Sequence, residues 1–146
     1  MEDDQVIEKG FEIANRFLGA AGDDIRKLPF EVATFMRVIA AQGVIDNGGY
    51  RYFFESDWPG NPPYSDFVQS YRAIGCHEQA DDMERVIGVF PFPEPHLRSG
   101  ERIRFMNENY DDDTFSIKGW GDALCGDATI WRNLAQYVRD HAEIFS

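Results

Sequence analysis

Apolar residues recur every three or four positions along most of this chain, and that spacing constrains the fold more than any other feature. Near the N-terminus, for example, Phe11, Ala14 and Leu18 would line one face of a helix. Similar stripes follow in later segments, and no segment supports the strand–helix alternation of a βαβ protein. The 146 residues are enough for one domain with a hydrophobic core but are few for two. The sequence therefore predicts an all-α, compact multi-helix bundle that forms a single domain over residues 1–146.

The residues between the stripes indicate where the predicted helices end. The predicted helices span about 3–20, 28–45, 65–74, 77–90 and 100–108, and a last helix follows Asp127. The second helix is expected to stop at Asn47, Gly48 and Gly49, because Asn and Gly accept the positive φ angle of a helix end. These glycines could also let a ligand approach the backbone, but a helix stop explains them more simply. A short aromatic segment begins at Tyr50 and precedes a Pro/Gly loop. Its residue types favour a strand, whereas its position between helices favours a short helix.

The acid excess bears on function. The formal charge is −12, from 26 acidic and 14 basic residues. It is concentrated in residues 1–24, 76–97 and 111–127, whose net charges are −5, −4 and −4. Nucleic acid, heparin or an anionic membrane would be repelled, so we expect no direct nucleic-acid or membrane partner. Basic proteins, cations and neutral molecules remain as partners.

The expected location is the cytoplasm. No run of residues approaches the length of a membrane span, and the acidic residues after Met1 do not resemble a signal peptide. Cys76 and Cys125 are therefore interpreted as reduced thiols.

The centre of the chain combines an Asn-Gly-Gly-aromatic motif at residues 47–50, the aromatic pair Phe53 and Phe54, and a helix that ends in Ile74-Gly75. In these features it resembles a bacterial all-α family of unknown-function domains whose named member is an acidic DNA-mimic protein. The resemblance covers roughly residues 30–90 and, more loosely, the last helix. It implies an all-α fold, a cytoplasmic bacterial protein and self-association as a homodimer. It also suggests that the acidic surface imitates a DNA backbone.

Acidic clusters are the candidate partner-binding residues. DNA-binding proteins read phosphate positions, so a mimic must present carboxylates on rigid elements. The candidates are Glu78, Asp81 and Asp82 on one helical face, and Asp111, Asp112 and Asp113. A further cluster comprises Glu2, Asp3, Asp4, Glu8 and Glu12. For any one cluster the simpler interpretation is a solvated face, and acids at a helix N-terminus are also favoured by the helix dipole.

Metal and catalytic motifs give weaker signals. His77 and Asp81 are four residues apart, as in helical zinc sites, but no third ligand is evident. The acids at 111–122 lack the glycine and final glutamate of an EF-hand loop. No nucleotide fingerprint or nucleophile motif is found. We therefore expect no metal, no cofactor and no enzymatic activity.

Three hypotheses follow. The first is an acidic, non-enzymatic interaction protein, a DNA mimic that occupies the basic surface of a DNA-binding protein. The second is an immunity-type inhibitor of a basic toxin, which the same charge would fit. The third is a small-molecule binder or enzyme with a pocket near Tyr50–Trp58.

Overall fold

The computed structural model describes residues 1–109 and 124–146, and within these ranges the chain is all-α. The helices are α1 (Asp3–Ala20), α2 (Phe30–Glu55), α3 (Tyr64–Ala73), α4 (His77–Ile87), α5 (Ser99–Asn109) and α6 (Ala128–Asp140). Two short 3-10 helices, Ile25–Lys27 and Pro95–Leu97, lie between them. The all-α prediction is confirmed. None of the described helices has the length and apolar character that crossing a membrane requires.

Helix α2 is the centre of the bundle. It packs against α1, α3, α5 and α6, while α1 also packs on α6 and α3 on α4. Val32, Phe35 and Val38 of α2 are fully buried, at the three-residue spacing that places side chains on one helical face. The core therefore surrounds α2, and the α1–α6 and α3–α4 pairs both rest against it.

A kink divides α2 at Gly48 and Gly49. Gly49 has φ 66° and ψ −165°, a backbone conformation that residues with a side chain rarely adopt. A Cβ atom on Gly48 would lie 2.7 Å from the Cβ atom of Tyr52, so the first glycine is also required for space. The chain turns at this point and resumes as a helix from Tyr50. The aromatic segment is therefore a short helix and not a strand.

The aromatic rings after the kink form part of the core. Phe53 lies with its ring centroid 5.1–5.6 Å from the rings of Phe54, Trp58, Tyr64 and Phe67. Edge-to-face and tilted contacts at these distances are favourable beyond the area they bury. These contacts join the end of α2 to α3 and to the loop between them.

Candidate functional site

The acidic candidates of α4 lie on its outer surface. Glu78 and Asp81 are exposed and Asp82 is partly buried, whereas Ala80 and Met83 of the same helix are fully buried. The turn before α4 contains Gly75, whose φ of 84° lies in the left-handed region that glycine adopts readily. The structure thus presents all three carboxylates on one rigid helix.

Arginines neutralise two of these three acids. Arg72 of α3 lies 2.7 Å from Asp81, measured between Nη2 and Oδ1, and 2.9 Å from Glu84. Arg85 lies 2.8 Å from Asp82 along the same helix. Hydrogen bonding to Asp81 raises the pKa of Arg72. The carboxylates therefore accept charge-assisted hydrogen bonds already, at sites that water still reaches.

Asp82 also connects the acidic cluster to the glycine motif. The Tyr50 hydroxyl donates a hydrogen bond of 2.9 Å to Asp82 Oδ2. Burial, followed by the charge of Asp82, raises the pKa of Tyr50 well above its ordinary value, so Tyr50 remains a donor. The structure therefore brings together two features that lie 32 positions apart and that no sequence pattern links. Asn47 is exposed and donates to the carbonyl of Gly43 within α2.

The remaining predicted acids divide into two groups. Asp111, Asp112 and Asp113 lie outside the described residues. Of the N-terminal acids, Glu2 immediately precedes α1 and the others lie on it, where Asp3 pairs with Arg139 of α6 at 2.8 Å.

Three further acids of α1 form an exposed row. Asp4, Glu8 and Glu12 follow one another at four-residue spacing, about 6 Å apart along the helix axis. None of them makes an ion pair with any other residue in 1–109 and 124–146, so within these ranges no basic side chain offsets the row at contact distance. Its linear charge density is within a factor of about two of a single DNA strand, which carries one phosphate per about 3.4 Å.

A family model for DMP19-like protein matches residues 26–141. The chain belongs to the DMP19-like protein family. This is a family of DNA-mimic proteins, and the match agrees with the resemblance noted in residues 30–90. Comparison with curated proteins gives no match, and neither does comparison with solved structures.

The DMP19-like match contains the acids of α4 but excludes the whole of α1. Glu78, Asp81 and Asp82 lie inside residues 26–141, together with Tyr50 and its glycines. The exposed row of α1 lies before the matched region. The two acidic surfaces of this chain are therefore distinct, and only that of α4 belongs to the DMP19-like region.

A partly buried polar network within the DMP19-like region was missed from sequence. Asp46 accepts hydrogen bonds from Gln42 at 2.7 Å, from the backbone of Gly126 at 2.8 Å and from the Trp131 indole at 3.0 Å. Gln42 in turn accepts from the Tyr71 hydroxyl at 2.9 Å. The network holds α3, α6 and the segment before α6 to α2. Gln42 and Asp46 interrupt an apolar helix stripe at four-residue spacing, and this pattern is the signal that could have revealed the network.

Arg102 is a second buried group that sequence reasoning missed. Its side chain is fully buried in α5 and donates to the backbone carbonyls of Phe54 and Pro95, at 2.8 and 2.6 Å. It also pairs with Asp57 at 2.9 Å. Since Phe54 lies in the last turn of α2, the guanidinium neutralises the negative end of that helix. Arg102 therefore has a structural role in fixing α5 against α2.

Proposed function

We propose that this chain is an acidic, non-enzymatic interaction protein of the DNA-mimic type. It would occupy the basic, DNA-binding surface of a partner protein and exclude DNA from it. The observation that carries the proposal is membership of the DMP19-like family in a chain whose formal charge is −12. The carboxylates nominated for the contact are Glu78, Asp81, Asp82, Asp111, Asp112 and Asp113.

The arginine pairs on α4 define how such a contact would form. An arginine of the partner would have to compete with Arg72 for Asp81 or share that carboxylate with it. Exposed ion pairs contribute only about 0–1 kcal/mol, so this exchange is energetically accessible. Long-range attraction between the acidic chain and a basic partner would speed association, and added salt would screen it. We place this interaction in the cytoplasm, with the chain acting as one domain that self-associates as a homodimer.

The alternatives differ in how far the structure supports them. An immunity-type inhibitor of a basic toxin uses the same charge and differs only in its partner. A small-molecule site near Tyr50–Trp58 has less support, because Tyr50, Phe53 and Phe54 are fully buried and pack as core. We therefore retain the basic protein as the proposed partner.

Displacement of DNA tests the proposal. Purified basic DNA-binding proteins from the same genome are each loaded with a fluorescent duplex, and the chain is added at low salt. For a true partner, anisotropy should fall as DNA is released, and the triple variant Glu78→Gln, Asp81→Asn, Asp82→Asn should associate about tenfold more slowly, because interface charges act mainly on association rate.

A variant matched in charge removes three exposed acids elsewhere, through Asp23→Asn, Glu108→Gln and Glu143→Gln. Equal losses in both variants would mean that only net charge matters, and would contradict the nominated surface. Failure to release DNA from any of the proteins would contradict DNA mimicry. Inhibition of a basic nuclease without competition for its DNA would favour the immunity-type alternative instead.

A further inference from the structure

An apolar groove of about 300 Å³ opens on the surface where α1, α2 and α6 meet. It is lined by Ile7, Phe11, Ile39 and Trp131, with Asp4 and Glu8 at its acidic side. Phe11 is 43% exposed, a large fraction for a phenylalanine in a helix that packs on two neighbours. None of the residues that line the groove belongs to α4.

The groove exists because α1 carries a wider apolar stripe than its packing uses. Val6, Gly10 and Ile13 are buried against α2 and α6. The helix approaches them closely at Gly10, where a Cβ atom would lie 3.2 Å from Phe35 and Val138. Ile7 and Phe11 directly follow Val6 and Gly10 in the sequence, so their side chains lie on the adjacent face of α1, outside this contact. Within residues 1–109 and 124–146 they therefore form an apolar row that is only partly covered.

The opposite wall of the groove is held in place by the polar network around Asp46. Trp131 donates its indole N–H to Asp46 at 3.0 Å, which fixes the orientation of the ring. Asp46 is itself held by Gln42 and by the backbone of Gly126. The wall is thus already formed, and a ligand would not need to order it.

The charge beside the groove indicates the kind of occupant. Asp4 and Glu8 are exposed and lack an ion-pair partner within the part of the chain that the structure describes. They lie one helical turn apart, beside Ile7 and Phe11. A second copy of this chain, with a formal charge of −12, would be repelled at this surface. A basic ligand would gain two ion pairs while its apolar side chains cover Phe11.

We propose that this groove binds an amphipathic helix of a basic partner protein. Aliphatic side chains at three- or four-residue spacing would lie between Phe11 and Trp131, and a lysine or arginine would face each of Asp4 and Glu8. Helices bind apolar grooves in this manner, through anchors that repeat every turn. The proposal does not require DNA mimicry, since the α1 side of the groove lies outside the DMP19-like region and only Ile39 and Trp131 of its lining lie inside it.

The first test uses a defined probe and a matched aromatic control. The probe is a fluorescent peptide of leucine and lysine in amphipathic helical order, compared with a scrambled peptide of the same composition. We expect the ordered peptide to bind the full chain and the scrambled one to bind at least about tenfold more weakly, because only the former presents a continuous apolar face. Phe11→Ala should weaken binding of the ordered peptide about tenfold, as truncation of an aromatic anchor does.

Phe30→Ala is the matched control, because Phe30 is 60% exposed and does not line the groove. It should change peptide affinity by less than about twofold, as expected for a residue outside an interface. Circular dichroism melting of each variant checks that the fold is intact. Equal affinities for the ordered and scrambled peptides would overturn the proposal, and so would equal effects of Phe11→Ala and Phe30→Ala.

A charge pair and a mass measurement complete the test. The double variant Asp4→Asn, Glu8→Gln should weaken peptide binding more than Asp23→Asn, Glu143→Gln, which removes two exposed charges elsewhere. Sedimentation of the wild type and Phe11→Ala measures self-association. If the wild type is a dimer that Phe11→Ala dissociates, and no peptide binds, the occupant is a second copy and the proposal is wrong. DNA displacement by the α4 surface is measured separately, so either proposal can fail alone.

Discussion

Helices α1 and α4 come from sequence blocks with similar acid excesses, but they differ in how many of their acids form ion pairs with arginine. On α4, Asp81 and Asp82 are each held by an arginine, and Asp82 also accepts the Tyr50 hydroxyl. On α1, Asp4, Glu8 and Glu12 have no ion pair among the described residues. Their sequence blocks differ by a single formal charge, −4 against −5. The charge of a sequence block therefore does not tell how negative its surface is.

The difference arises from the neighbouring helix. Helix α4 packs on α3, which supplies Arg72 at a position that reaches two carboxylates. Helix α1 packs on α6, which supplies Arg139 to Asp3 and to the Met1 carbonyl at the helix start, one turn or more from Glu8 and Glu12. An acid surface remains strongly negative where the adjacent helix offers no arginine within reach. The predictions below begin with the most buried arginine, continue with the buried thiol at the start of α4 and end with exposed charges on both helices.

The largest effect is expected at Arg102, where an arginine is completely buried. Arg102→Ala should lower the free energy of unfolding by roughly 3–4 kcal/mol, because the buried carbonyls of Phe54 and Pro95 lose their donor. Urea denaturation followed by circular dichroism measures the change. Arg98→Ala is the control, since Arg98 forms only an exposed pair with Glu101 and should cost less than about 1 kcal/mol. Similar losses in the two variants would show that burial does not matter here.

Alkaline pH should affect the start of α4. Burial raises the pKa of the Cys76 thiol to about 11, from its usual value near 9, while a hydrogen bond from Asn133 partly opposes the shift. The folded state holds this proton more tightly than the unfolded state. The stability that it contributes is therefore present below pH 9 and is lost as pH rises towards 11.

Cys76→Ser removes the thiol and isolates its contribution. Between pH 9 and 11 the wild type should lose up to about 2 kcal/mol more than the variant, since each unit of pKa shift corresponds to about 1.4 kcal/mol. Urea denaturation at several pH values provides the comparison. Parallel pH profiles for the two proteins would refute the assignment of this loss to Cys76.

Sequence reasoning was strongest for the helices, because each is encoded by local residues. The span 3–20 was predicted for α1 from its apolar stripe and agrees with the structure. The helix break at Gly48 and Gly49 follows from backbone chemistry at the same residues. The sequence does not assign the segment from Tyr50 to strand or helix, because aromatic residues favour strands. In the structure Tyr50, Phe53 and Phe54 are buried at helical spacing, as tertiary packing favours a helix there.

The site was less predictable because its contacts join distant residues. Arg102 donates mainly to backbone carbonyls, which every residue type possesses, so its acceptors leave no trace in the sequence. The pair between Arg72 and Asp81 depends on how α3 packs against α4. The Gln42–Asp46 network was detectable in part, as two polar residues interrupt an apolar face.

The smallest effects on stability are expected when one exposed charge is removed beside each acidic helix, Arg72 next to α4 or Glu8 on α1. The two changes should have opposite effects on binding. Arg72→Ala should cost about 1 kcal/mol or less, because its pairs are solvent-exposed. Glu8→Gln should change stability by less than about 0.5 kcal/mol, as for surface residues without a partner. Both values are measurable by urea denaturation.

Binding kinetics separate the two variants more clearly. Arg72→Ala frees Asp81 and Glu84, makes α4 more negative and should speed association with a basic protein a few-fold at low salt. Glu8→Gln weakens the field of α1 and should slow association. Stopped-flow measurements at two salt concentrations test this, since both effects should shrink as salt rises. If Arg72→Ala slows association instead, then Arg72 holds Asp81 and Glu84 in the geometry that the partner needs. Pairing would then organise the α4 surface for binding, and the α1 surface would be the less specific of the two.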